Sequence, residues 1–394
     1  MKTQTANLAP RNAGQLDQSF GDAGQIRPNL QYGLVKVIAL SDEGALTYAT
    51  EQEKGFTLYR THPNGAPDLR FGQEGNTGKW QFVDNEDALP SRLLLQKDDK
   101  TLIIGISMSA TGISSAALTR FNANGSPDLV FGRVIIPLPH DVGGATETDG
   151  CLQADGKILI VLTDMFAVSG RVSLLIRLQS NGELDTSFGH EGYVKVESPD
   201  NRIGLRSVVI QGEKIVIGGN ESNRLALARY DLQGNLDTQF GINGFAFFAV
   251  ADGPIRMSQL IAQTDQKLAC AGAINEAVGM VMRFTADGHP DEQWNGGFPA
   301  LTDTGYPTRW MSLIQQPDEK IVAAGFNSAE ATLIARFSFD GTPDSSFSGG
   351  LVSVGSAGGV AYAVTAQSAA RLIVGGNAQN GEGRAGPIVY GLYS

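Results

Sequence analysis

Cysteine is nearly missing from this 394-residue chain, which holds only Cys151 and Cys270. Both lie in or beside apolar runs and read as buried free thiols, so no disulfide framework is expected to hold the fold. Histidine is almost as scarce, with His62, His140, His190 and His289 its four copies. No His-x-x-x-His or Cys-x-x-Cys spacing supports a metal site, and none is expected. The Gly-x-Ser-x-Gly elbow, a Walker-type loop and a dinucleotide fingerprint at a strand–helix junction are also absent. Nothing in the spacing sets a nucleophile beside a base, and no cofactor is implied. No apolar run approaches the length of a membrane span. The first ten residues, Met-Lys-Thr-Gln-Thr-Ala-Asn-Leu-Ala-Pro, lack the apolar centre of a secretory signal. A cytoplasmic location is the expectation, although export by a dedicated machine would leave no trace in such a start. The formal net charge of -11 argues against binding nucleic acid or an anionic membrane through bulk electrostatics.

What the chain has in quantity is a repeat. The pattern Gly-x-(Leu/Pro)-Asp-x-x-(aromatic) occurs seven times, at Asp17, Asp68, Asp128, Asp185, Asp237, Asp291 and Asp344. Their spacings are 51, 60, 57, 52, 54 and 53 residues. The aromatics three residues on are Phe20, Phe71, Phe131, Phe188, Phe240, Trp294 and Phe347. A fixed period in this range marks a solenoid or a propeller. Eight residues before six of the aspartates stands an arginine: Arg60, Arg120, Arg177, Arg229, Arg283 and Arg336. Opposite charges at a fixed distance across a turn suggest an ion pair pinning a hairpin, for which a guanidinium fork suits a carboxylate. The aspartate is expected to accept amides of its own turn, and the aromatic to fill a gap between units.

Each motif is followed by four short apolar segments, in the fourth repeat at 193–197, 205–211, 214–218 and 225–230. They are rich in Val, Ile and Leu, broken by Gly, Asn and Asp, and without helical period, which favours strands. Four antiparallel strands in each of seven units, at about 55 residues per unit, describe an all-β, seven-bladed β-propeller. Residues 1–11 read as a polar tail and 12–394 as one propeller domain. With strands lettered A to D from the motif outward, every blade is expected to use consecutive strands. The termini then meet in one D-to-A loop, where Leu392 stands in place of the missing arginine. Closure would depend on the Leu16-Asp17-x-x-Phe20 copy docking on the last blade.

Gly-Glu-Leu-Asp-Thr-Ser-Phe-Gly-His-Glu-Gly (182–192) and Gly-Asn-Leu-Asp-Thr-Gln-Phe-Gly-Ile-Asn-Gly (234–244) resemble the delta-60 repeat of bacterial proteins. The resemblance covers essentially everything after residue 12 and implies a repeat array, with no catalytic motif to carry over.

Acidic turns at Asp98-Asp99, Asp155, Asp265 and Asp318-Glu319 are spread one or two per unit and read as solvated hairpin tips rather than calcium ligands. The A-to-B and C-to-D loops share one face and vary in length and composition, at 83–90, 107–115, 139–146, 164–171, 198–204 and 302–310. A uniform scaffold with irregular loops on one face is how repeat folds present binding sites. Tyr306, Arg309 and Trp310 are residue types enriched at binding hot spots. Asp164, Phe166, Asn201, Arg202, Asn220, Asn327 and Asn377 could line the same rim. Trp310 reads equally well as core, and the polar residues as ordinary loop solvation. The leading expectation is a non-enzymatic recognition or scaffold propeller, monomeric, whose variable face binds a protein or a glycan. One alternative is a glycan hydrolase or lyase with carboxylates at the channel mouth, Asp164 with Glu147 or Asp200. The other is a structural module of a larger secreted or injected assembly.

Overall fold

The computed structural model describes residues 12–140, 142–167, 170–198, 203–221, 223–250, 253–329, 331–355, 358–379 and 383–394. The tail expected over 1–11 lies outside them. Twenty-eight strands form seven four-stranded antiparallel sheets, a seven-bladed β-propeller. Blade 1 shows the plan: Leu34–Leu40 is innermost, followed outward by Leu46–Gln52, Gly55–Thr61 and Asn76–Trp80. Second and third strands are apolar along nearly their whole length, as in Ile158–Asp164 and Val172–Leu178, where every residue is buried. That composition follows from neighbours covering both faces of each sheet. The core is accordingly divided into seven clusters, each lying between two adjacent blades.

Two expectations need correction. The motif does not open a blade; it forms the connection between the third and outer strands of one blade. The strand after it, such as Tyr193–Lys195, pairs with the strand before it, Val172–Leu178. The lettering therefore shifts by one position, so the segments taken as B are the innermost strands. Which loops share a face is unchanged. The last blade is also not built from consecutive strands. Gln25–Ile26 pairs with Ala385–Tyr393 and supplies its outer strand. The termini do meet, with the Gly14 amide donating to the Tyr393 carbonyl at 2.8 Å, but inside a blade rather than between two.

The motif works as a latch between neighbours. Oδ1 of each motif aspartate accepts the amide two residues on, at 3.0–3.2 Å. Oδ2 of Asp68, Asp128, Asp185, Asp237, Asp291 and Asp344 accepts the arginine Nε at 2.6–2.9 Å. The same guanidinium lies over the motif ring, 4.5 Å from the Phe188 centroid in the case of Arg177. Its Nη1 then donates to a carbonyl in the next blade's turn, Arg60 to Ala123, Arg120 to Ser180 and Arg177 to Leu232. The motif glycine of that next turn is pressed on the ring: Gly182 has φ +90°, and a Cβ there would stand 3.0 Å from the Phe131 ring. Positive φ and lack of space together require glycine.

Lysines at the start of the second strands complete the latch. Lys100, Lys157, Lys214, Lys267 and Lys320 reach their motif aspartates at 3.1–3.3 Å. Four of them also pair with the hairpin-tip acids Asp98, Asp155, Asp265 and Asp318. At the chain ends Leu392 stands in the arginine's place, and Arg371, from the second strand, serves instead. Its Nε donates to Asp17 at 2.7 Å and its Nη1 to the Pro63 carbonyl of blade 1.

These bonds set a pH dependence. Burial alone would raise the Asp185 carboxyl, but the Ser187 hydroxyl, Lys157, the Ser187 amide and Arg177 outweigh it and lower the value to about 2. Asp17 and Asp344 are likewise lowered to about 2, against burial, by the hydroxyls and amides of Ser19 and Ser346 and by Arg371, Lys320 and Arg336. A carboxyl depressed in the folded state contributes stability that is complete above its unfolded value of about 3.9 and is lost as pH falls toward 2. Near-UV circular dichroism should therefore show the ring opening below about pH 4. Full native signal persisting at pH 2 would contradict the latch. Burial pushes the free thiols of half-buried Cys151 and buried Cys270 up to about 12, leaving both unreactive at neutral pH.

Candidate functional site

Several nominated residues are occupied by the scaffold. Trp310 has 0% exposure and packs in the cluster between blades 5 and 6, so it is core and not rim. Asp164 is buried, with Oδ1 accepting the Phe166 amide at 2.9 Å and Oδ2 the Gly143 amide at 2.8 Å. Asn220 ties blade 4 to blade 5, donating to the Ile255 carbonyl and accepting the Met257 amide at 3.0 Å. Asn327 accepts the Ala331 amide and donates to Thr304, and Asn377 accepts the Val360 amide. Asn201 and Arg202 lie outside the described residues, as does Asp200.

Phe166 and Tyr306 are different. Phe166 is 85% exposed and Tyr306 54% exposed. Both stand on connections of the variable face, one in blade 3 and one between blades 5 and 6, on opposite sides of the mouth. Their backbones are pinned. The Phe166 amide is held by Asp164, and the Tyr306 carbonyl accepts the hydroxyls of Thr304 and Thr308 at 3.2 and 2.7 Å.

Between them opens the central channel, through a feature the sequence reading missed. In six blades the innermost strand carries a β-bulge at an equivalent place, and the extra residue is Lys36, Ser91, Arg206, Ser258, Met311 or Tyr362. A bulge re-aims a side chain out of the pleat. All six line one cavity of about 410 Å³ on the axis. In five of these blades the second strand places a glycine opposite the bulge: Gly105, Gly219, Gly272, Gly325 and Gly376. A Cβ on Gly272 would overlap the Arg256 carbonyl. Those glycines, standing five residues after the strand's basic residue in each case, were the available signal.

The cavity is cationic in an acidic protein. Along its wall Lys36 pairs with Glu51 at 3.9 Å, Arg92 with Asp149 at 3.2 Å and Arg206 with Glu147, while Arg256 pairs with Glu276 at 2.7 Å in the adjoining pocket. Arg309 is half-buried and has no carboxylate partner among the described residues; its Nε donates to Ser258 Oγ at 3.3 Å. Burial, then the charges of Arg206 and Arg256, draws this guanidinium below its usual range, with Glu276 and Glu147 opposing. It stays cationic at neutral pH. A smaller pocket of about 140 Å³, sharing Glu147 and Arg206, continues to the rim beside Met165 and Pro254. Among the described residues no three His, Cys, Asp or Glu side chains gather in a way that could hold a metal. No helix among them is long and apolar enough to cross a membrane.

A family model described as a domain of unknown function (DUF5122) beta-propeller matches residues 96–131, 153–188, 214–240 and 316–347. Each match ends on a motif aromatic, so it spans the second and third strands and the latch. Virginiamycin B lyase from Staphylococcus aureus is similar in structure, with a TM-score of 0.55 at 10% identity, over 93% of this chain and 98% of that one. The extracellular domains 1–2 of Drosophila Semaphorin 1a are similar with a TM-score of 0.51 at 8% identity, over 95% of this chain and 88% of that one. At such identities the likeness is one of fold. No curated protein matches the sequence.

Proposed function

We propose that this chain is an array of delta-60-type repeats serving as a recognition propeller, which binds a protein or glycan across the mouth of its channel. The observation carrying this reading is the pair of exposed aromatics, Phe166 and Tyr306, on backbones that are already immobilised. Rigid aromatic anchors contribute contact area at little cost in ordering. Recognition is favoured over glycan hydrolysis because hydrolysis needs two carboxyl groups facing a cleft about 5–9.5 Å apart and able to exchange protons. Here Glu147, Asp149 and Glu276 are engaged by arginines, and Asp164 by two amides.

The test is binding of the intact protein to immobilised glycan and peptide panels. Tyr306→Ala and Phe166→Ala should each weaken the strongest interaction about tenfold, equivalent to roughly 1.4 kcal/mol. Val130→Ser, on the opposite face where Val130 is 96% exposed, should leave it unchanged. Binding indifferent to both rim variants, or release of cleaved product from a glycan, would refute the reading.

A further inference from the structure

Among the described residues the axial cavity holds one cationic group without an anion, and the surroundings say what size and charge of anion belongs there. Of the other cations lining it, Arg92 pairs with Asp149, Arg206 with Glu147 and Lys36 with Glu51 at 3.9 Å. Arg309, which lines the cavity, has among the described residues only the Ser258 hydroxyl, on Nε, so its two terminal nitrogens have no partner there. Those nitrogens present a planar pair of donors, matched by the two oxygens of a carboxylate. The charge balance favours a singly charged acid. A phosphate dianion would bring a second negative charge beside Glu147 and Asp149, with Lys36, Arg92 and Arg206 already paired to carboxylates. The rest of the wall mixes hydroxyls and amides, at Ser91, Ser207, Gln259 and Tyr362, with aliphatic side chains such as Leu89 and Ile106. Such a wall can pair the hydroxyls of a ligand while packing against the carbon face of a sugar ring. The volume, about 410 Å³, suits a small molecule or the end of a chain rather than a folded partner.

We infer that the channel mouth is a binding site for a carboxylate on a small polyhydroxylated body, a sugar acid either free or terminal on a glycan, with Arg309 gripping the carboxylate. This rests on the recognition reading and deepens it by naming a ligand chemistry for the cavity beneath the rim. Arg309 and Arg256 stand at equivalent positions of adjacent innermost strands, each two residues before the bulge, Arg309 lining this cavity and Arg256 the smaller pocket that adjoins it. Arg206 in the same wall and Arg256 in the adjoining pocket are close enough to act on Arg309, so their charge adds to the attraction for a carboxylate there. The acidic exterior would slow approach of the ligand, whereas the local field at the mouth draws it in; affinity should therefore fall with added salt.

Calorimetric titration of the full chain with galacturonate, galactose, glucose 6-phosphate and a tri-glutamate peptide tests this. Galacturonate should bind saturably, with galactose at least about tenfold weaker for lack of the carboxylate. Arg309→Met should reduce galacturonate binding by a similar factor while the melting temperature stays that of the parent. Arg309→Lys, keeping the charge without the fork, should fall between them. Should Arg309→Met misfold, Ser258→Val provides a milder arm, since freeing Nε should weaken galacturonate alone. Equal binding of galacturonate and galactose, no binding of either, or preference for the phosphate or the peptide would overturn the inference. A Tyr306→Ala protein separates the two readings. If panel binding depends on Tyr306 but no sugar acid enters the cavity, the cavity assignment falls and the recognition reading stands. Galacturonate binding without any rim-dependent partner gives the reverse.

Discussion

Deleting residues 1–26 should cost the protein its cooperative melting transition. The deletion removes the outer strand of the last blade and the one latch supplied from the other end of the chain. Phe20, fully buried between blades 7 and 1, is lost from its cluster, a change on the scale of roughly 3–5 kcal/mol for a large core aromatic. Arg371 is left without Asp17, and stripping a largely buried ion pair of one partner costs on the order of another 3–5 kcal/mol. Together these approach the whole net stability of about 5–15 kcal/mol that ordinary domains possess. Differential scanning calorimetry of the truncated chain should show a broad, low transition or none, and a peptide covering 12–26 should restore part of it. A melting temperature within about one degree of the parent, on the scale of about 1 kcal/mol for a chain of 394 residues, would contradict closure by this segment.

Phe188→Ala should destabilise by roughly 3–5 kcal/mol in urea unfolding, with Phe188→Leu well short of that. The ring is fully buried, faces the Arg177 guanidinium on one side and lies against Gly234 of the next blade's turn. Truncation therefore empties a gap shared by two blades and removes the surface on which Arg177 is laid. The cavity cannot collapse easily, because Gly234 and Arg177 are both held by backbone bonds of the neighbouring turn. An effect under about 1 kcal/mol would show the motif aromatic to be peripheral.

The seven blades were legible because Asp, its aromatic and its glycine recur with a period that turn chemistry alone imposes. The blade boundary was not. A circular repeat has the same period wherever it is cut, and whether Tyr193–Lys195 belongs with the strands before or after it depends on which edge it hydrogen-bonds. Closure by Gln25–Ile26 was missed for the same reason, although the docking partner, Leu16 to Phe20, was readable from its motif. Arg371 substituting for Leu392 was invisible to spacing, since the guanidinium arrives from a different strand. Among site residues, sequence favoured Asn220, Asn327 and Asn377 because amides are common at rims; here their bonds are spent inside the scaffold. Arg309 was nominated by residue type, but its company was not. Arg256 stands 53 residues earlier, one repeat period, and equivalence under the period is what brings the two side chains to one axis.

The placement of the chain ends has a mechanical consequence. Tension applied through a domain fused at either end would bear on the short ladder that joins 14–26 to Ala385–Tyr393 and on the Phe20 ring seated between blades 7 and 1, and not on the slabs between the other blades. Such a ladder parts bond by bond, with Phe20 the single ring that must leave its cluster. Six blades would remain stacked while the seventh gave way, so the molecule would yield at one determined point and could snap shut there when the load is released.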